Sequence, residues 1–164
     1  MANIMLTGLS KIGKQLRKYT DGEVFVMHIP RVGWIPMLVV NTNARIDEFN
    51  SGTLVYIFNS IVRGTSDDVP VIDITTLDKN NLVIPPCIVG RDLWRGGLVV
   101  KVGVVRDLSV MTRPHHCFRC VQFSPVRYFD ESGKETMAET GPCADSGLYL
   151  PAGIEREIRS ALAK

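Results

Sequence analysis

Apolar residues in this chain fall mainly into short strand-length runs, with helical spacing in three places. The most continuous run is Leu98, Val99, Val100, Val102, Val104 and Val105. Such β-branched side chains are stiff at χ1 and fit a pleated surface. Both faces of the run are apolar, which predicts a strand covered on both sides, at the centre of a sheet. Gly96, Gly97 and Gly103 count against a helix, where each interior glycine costs about 1 kcal/mol. Arg106 to Met111 turns more polar, as a strand leaving a core does. Thr112–His116 is a turn around Pro114. Phe118, Val121, Phe123, Val126, Tyr128 and Phe129 form the return strand, expected beside the valine run, with Pro125 marking an edge or a bulge.

Elsewhere, Val24–Ile29 and Ile35–Val40 form a hairpin around Pro30–Trp34, with Gly33 supplying the permissive backbone. Val69–Ile74, Leu82–Ile84 and Cys87–Val89 are short strands, and Gly90–Arg95 turns the chain. Residues 3–19 predict an amphipathic helix: Leu9, Ile12, Leu16 and Tyr19 follow helical spacing, and Lys11, Lys14, Gln15 and Lys18 take the other side. Residues 43–63 read as a second helix, capped by Asn43, with Asp47 and Glu48 near its positive end, Arg63 near its negative end and Gly64 after it. The competing reading breaks it at Gly52 and makes Thr53–Val62 a strand. Glu131–Lys134 is a turn, and Lys134–Leu150 is irregular. Pro151 opens a closing helix through Lys164, with Ile154, Ile158 and Leu162 as its buried stripe and Glu155–Arg159 as an i,i+4 pair.

The expected fold is therefore α+β: a mainly antiparallel sheet of about six strands with helices near the N-terminus, the middle and the C-terminus. A small, partly closed β-barrel with flanking helices is the alternative. At 164 residues the chain, residues 1–164, suits one globular domain with its own core. Its 45% hydrophobic and 22% charged content belongs to ordinary globular proteins rather than disordered ones. No run approaches the roughly 18 apolar residues of a membrane span, and the N-terminus lacks a signal-peptide layout. The expectation is an intracellular protein.

Charge changes the picture more than composition does. Net charge is only +2, but Lys11, Lys14, Arg17 and Lys18 occur among the first twenty residues without an acidic residue. The rest carries 15 basic and 17 acidic residues. Attraction to polyanions should start there. Arg31 with Trp34, and Arg91 and Arg95 with Trp94, add two aromatic-basic sites of the kind on which single-stranded bases stack. A solvated basic helix face and tryptophans folded back on the body explain the same residues without a ligand.

His115, His116, Cys117 and Cys120 lie within six residues, and Cys143 follows. Cys117, Cys120, Cys143 and one of His115 or His116 supply the four nitrogen or sulfur ligands of a tetrahedral zinc site. Two features oppose it: strand residues three apart point to opposite faces, and Cys143 lacks a second Cys-x-x-Cys partner. Without metal, these cysteines are small buried hydrophobes, and no cofactor is expected. A reactive thiol would need positive charge from Arg113, Arg119 or the histidines. His28, within an apolar strand, reads as structural. Asp67, Asp68, Asp73 and Asp78 read as a solvated acidic loop. No phosphate-binding glycine loop, nucleophile elbow or H-E-x-x-H pattern occurs, so no catalytic residue is assigned.

The leading expectation is a non-enzymatic interaction or assembly protein that meets protein partners, or copies of itself, through its surface. The alternative is single-stranded nucleic-acid binding through Lys11, Lys14, Arg17, Lys18, Arg31, Trp34, Arg91, Trp94 and Arg95. The third is a zinc- or thiol-dependent enzyme.

Overall fold

The computed structural model describes residues 7–47, 50–137 and 143–164. Its centre is the expected hairpin. Strand β1 (Glu23–Ile29) pairs with β2 (Gly33–Arg45) antiparallel, with His28 opposite Trp34 and Phe25 opposite Met37. Two residues with positive φ make the turn: Arg31 at 70° and Gly33 at 121°. Glycine is required at position 33, because a Cβ there would sit 2.5 Å from the Val62 carbonyl oxygen.

β3 (Ser51–Ile57) runs antiparallel to β2. The helix expected over residues 43–63 is thus replaced by the end of β2 and a strand; residues 48 and 49 lie outside the described residues. The cap signals at its ends were local, whereas Thr53, Val55 and Ile57 are β-branched and gain cross-strand partners. β4 (Cys87–Val89), β5 (Val99–Val104) and β10 (Leu148–Tyr149) complete a six-stranded sheet in the order β10–β4–β3–β2–β1–β5. Its pairings are antiparallel except β10 with β4.

The valine run is therefore an edge strand, not the centre. The strands covered on both faces are β1, the first half of β2 and the end of β3. One face gathers Phe25, Met27, Ile35, Met37 and Val39 against Ile154 and Ile158 of α3 (Pro151–Leu162). The other gathers Val24, Leu38, Tyr56 and Phe58 against Leu77. Leu162 packs at the margin, completing the stripe predicted for α3.

The return strand does not lie beside β5. Residues 118–129 split into β6 (Phe118–Cys120) and β7 (Arg127–Phe129). With β8 (Glu135–Thr136) and β9 (Ala144–Asp145) they form a separate four-stranded sheet, β8–β7–β6–β9. Residues 106–111, expected as an outgoing strand, instead hold a short helix, α2 (Leu108–Met111), capped by Asp107. Val69–Ile74 and Leu82–Ile84 are not strands either. Asp73 caps a 3-10 turn at Ile74–Thr76, and Leu82 makes only an isolated bridge to Phe58. Neither sheet closes into a barrel among the described residues. The architecture remains mixed α+β and mainly antiparallel. No helix among the described residues is long and apolar enough to cross a membrane.

The amphipathic helix expected over residues 3–19 is absent from residues 7–19; residues 3–6 lie outside the described residues. Backbone donors that a helix would use internally go elsewhere. Ile12 and Gly13 donate to the Gly97 carbonyl at 2.9 and 3.0 Å, and Leu16 donates to the Trp94 carbonyl at 2.9 Å. Gly13 and Gly97 permit this approach: a Cβ on Gly97 (φ 67°) would meet the Gly13 carbonyl oxygen at 2.5 Å. Leu9, Leu16 and Tyr19 still face the core. Three apolar side chains on one side are as compatible with an extended strap as with a helix.

Candidate functional site

The N-terminal strap brings its cations alongside α1 (Asp92–Arg95), the four-residue helix before β5. The strap is held at several points. Ser10 N–H donates to the His28 carbonyl at 3.0 Å, and the Ser10 hydroxyl meets His28 Nδ1 at 2.7 Å. His28 Nε2 lies 2.9 Å from the Gly64 carbonyl, which only accepts; Nε2 therefore carries the proton, and Nδ1 accepts from Ser10. His28 is a structural clamp, as expected. The Tyr19 ring stacks on Trp94 with centroids 3.8 Å apart, and its hydroxyl reaches Thr53 Oγ1 at 3.0 Å.

Lys11, Lys14, Arg17 and Lys18 are exposed along this strap, and Arg91 and Arg95 are exposed beside it. None of these cations lies within ion-pair distance of a carboxylate among the described residues. Elsewhere, Arg119 is paired with Asp145 at 2.9 Å, Arg127 with Glu135 at 2.6 Å and Arg159 with Glu155 at 3.0 Å. Arg95 N–H donates to the Arg91 carbonyl at 3.0 Å, which puts the two arginines one helical turn apart on the same side. They border a cleft of about 400 Å³ whose walls include Ser51, Asp92, Leu148 and Leu150.

The tryptophans proposed as stacking platforms do not take part. Trp34 and Trp94 are both fully buried. Trp34 Nε1 donates to the Thr65 carbonyl at 3.1 Å, and its ring lies edge-on to His28. Arg31 is at the hairpin tip, away from any exposed aromatic surface of Trp34. Of the nine residues grouped from sequence, the fold brings together the six basic ones of the strap and α1, and turns both indoles inward.

The cysteine-histidine cluster is also divided. Cys117 and Cys143, each one residue before β6 and β9 respectively, are joined as a disulfide, while Cys120 and the buried Cys87 are free thiols. Burial, with the Glu157 carboxylate nearby, pushes the Cys87 thiol up to about 12, which keeps it protonated and unreactive near neutrality. His115 is exposed. His116 is buried in a polar junction. The Arg113 N–H donates to the Tyr56 hydroxyl at 2.9 Å, and the same hydroxyl lies 2.5 Å from His116 Nε2. Glu131 Oε1, 3.2 Å from His116 Nδ1, is a carboxylate oxygen and only accepts, so Nδ1 carries a proton and the neutral ring accepts from Tyr56 at Nε2. Burial pushes the Tyr56 phenol up, against the opposing pull of the Arg113 amide. Burial alone would raise the Glu131 carboxyl, but the His116 hydrogen bond holds it below the usual range. Among the described residues no three or more His, Cys, Asp or Glu side chains gather as a metal-holding group.

Tyr56 and Glu131 are the residues that sequence reasoning missed here. Tyr56 sits in an apolar run and Glu131 in a turn, so neither local pattern marks them. A further exposed feature is the β6–β7 connection. Val121, Phe123 and Val126 are 60%, 41% and 40% exposed, and the Arg127 guanidinium lies 4.4 Å from the Phe123 ring centre. No family model, curated protein or solved structure matches this chain.

Proposed function

We propose that this chain is a non-enzymatic binding protein that engages a polyanion, single-stranded nucleic acid, through the face formed by the strap and α1. One observation carries the reading: six exposed cations without carboxylate partners among the described residues lie on two segments tied by the Gly97 and Trp94 hydrogen bonds. Phosphates bound by lysine and arginine release counterions, which favours association. With both tryptophans buried, the contact is to the backbone of the strand and is indifferent to base sequence. Arginine adds a planar fork that matches phosphate oxygens.

Fluorescence anisotropy with a labelled single-stranded oligonucleotide across a salt series tests this. Binding that weakens steeply with salt is expected, with a logarithmic slope of about −0.7 for each phosphate neutralised. The triple variant K14E/R17E/K18E should flatten that slope. Absence of binding at low salt overturns the reading, as does equal affinity for an acidic polypeptide such as polyglutamate.

A second reading rests on the β6–β7 connection, in which a second copy of the chain is the occupant. Residues Val121–Val126 carry no charge, so two copies meet there without repulsion, and neighbouring Arg119 and Arg127 are already neutralised. A mass in solution above that of one chain, reduced to it by Phe123→Glu, supports self-association; a monomer at high concentration removes it.

A further inference from the structure

We infer that the cleft between α1 and β10 is a seat for the phosphomonoester end of a nucleic-acid strand, a site of different character from the open basic strap. The inference rests on the nucleic-acid reading above and deepens it. The strap presents its cations along an extended segment, which suits a run of phosphates. The cleft is a bounded space of about 400 Å³, within the range of small-ligand sites. Arg91 and Arg95 stand on one wall, four residues apart and exposed. Two guanidinium forks can share the oxygens of one terminal phosphate, whose second negative charge an internal diester lacks.

The remaining walls select what carries that phosphate. Leu148 and Leu150 are 44% and 37% exposed and form an apolar side against which a sugar or base can lie. The Ser51 hydroxyl is a neutral partner on the β3 side. Asp92 is the carboxylate in the lining. Its charge opposes any phosphate placed directly against it, but it accepts a hydrogen bond from a hydroxyl such as the 2′-hydroxyl of a ribose. One dianionic end, a free 2′-hydroxyl and an apolar body describe a terminal ribonucleotide better than inorganic phosphate or an acidic peptide.

Two measurements keep this separate from the broader reading. The first compares a 5′-phosphorylated RNA oligonucleotide with the same strand ending in a 5′-hydroxyl. The phosphorylated strand should bind about tenfold tighter, the effect of one added charge-assisted hydrogen bond. The variant R91Q/R95Q should abolish that difference; it should also weaken the 5′-hydroxyl strand and flatten its salt slope by the share of those two arginines, leaving the salt-dependent binding of the four strap cations. Equal affinities of the unmodified protein for the two strands overturn the cleft assignment and leave the strap reading standing. The second titrates ribose 5-phosphate alone, followed by amide chemical shifts. Changes confined to Gly90–Arg95, Ser51 and Leu148 support the cleft even if no oligonucleotide binds. Unmoved amides at millimolar ligand overturn it.

Discussion

The Tyr56 hydroxyl and the His116 ring meet at 2.5 Å although 60 residues separate them in sequence. Tyr56 belongs to β3 of the large sheet. His116 immediately precedes Cys117 and the small sheet, and Glu131 follows β7. The three side chains thus tie one sheet to the other in the interior. Tyr56→Phe keeps the ring but leaves the His116 Nε2 acceptor and the Arg113 N–H without their partner. An unsatisfied buried group costs about 1–3 kcal/mol, so Y56F should lower unfolding free energy by about that amount in urea. Gln122→Ala, at an exposed position of the β6–β7 connection, should change it by less than about 0.5 kcal/mol. An unfolding midpoint of Y56F equal to wild type would show that this hydrogen bond does not hold the sheets together.

Gly33 and Gly147 both have positive φ, 121° and 143°, but differ in surroundings. A Cβ at position 33 would meet the Val62 carbonyl oxygen at 2.5 Å; at position 147 nothing lies within 4 Å. Gly147→Ala should therefore cost only the backbone strain, about 1–3 kcal/mol. Gly33→Ala should cost more, because it also disturbs the paired Trp34–Val62 hydrogen bonds of 2.8 and 3.0 Å. Thermal unfolding of the two variants ranks them; a G147A protein less stable than G33A contradicts this account of the hairpin.

The Cys117–Cys143 bond spans 26 residues and encloses β6, β7 and β8. Closing a loop of that size removes about 3–4 kcal/mol of denatured-state freedom in the chain-entropy model. Adding reductant, or the variant C117S/C143S, should lower the urea midpoint accordingly. Alkylation of the native oxidised protein should label Cys120 first. Cys87 should react slowly, being buried with its thiol pushed up to about 12. Rapid labelling of all the cysteines without reductant would contradict the pairing.

What the sequence made legible follows from the range of the forces involved. The β1–β2 hairpin and α3 depend on neighbours a few residues away: glycine in the turn, proline at the helix start, Ile154 and Ile158 four apart. These were readable. The position of β5 was not. Its valines report that a strand forms there, but not that β1 pairs with β2 on its other side and leaves β5 outermost. Residues 43–63 misled because cap-like residues at both ends fit a helix, while the partners that make Ser51–Ile57 a strand, Met37–Arg45 and Cys87–Val89, are remote. The basic character of the N-terminal segment was legible as composition. Its placement beside Arg91 and Arg95 depends on Gly13 meeting Gly97, 84 positions further along the chain, and no periodicity reports such a meeting.

Acid should release the strap before it dissolves the core. Glu155 of α3 accepts from the Gly8 N–H at 2.6 Å, from the Thr7 hydroxyl at 3.2 Å and from Arg159 at 3.0 Å. Burial alone would raise its carboxyl, but these partners hold it below the usual carboxylate range. Glu131 is held low in the same way by His116. A folded value below the unfolded one, about 4.3 for glutamate, gives stability that is fully present above that unfolded value. It is lost as pH falls through the lower folded value. Unfolding free energy should therefore be flat from neutrality to about pH 5 and fall below it. Glu155→Gln should lower the neutral plateau and flatten the acid limb. Hydrogen exchange should also speed at Gly8 and Leu9 while Phe25 and Met27 stay protected. If E155Q leaves both the acid limb and exchange at Gly8 unchanged, Glu155 does not anchor the strap.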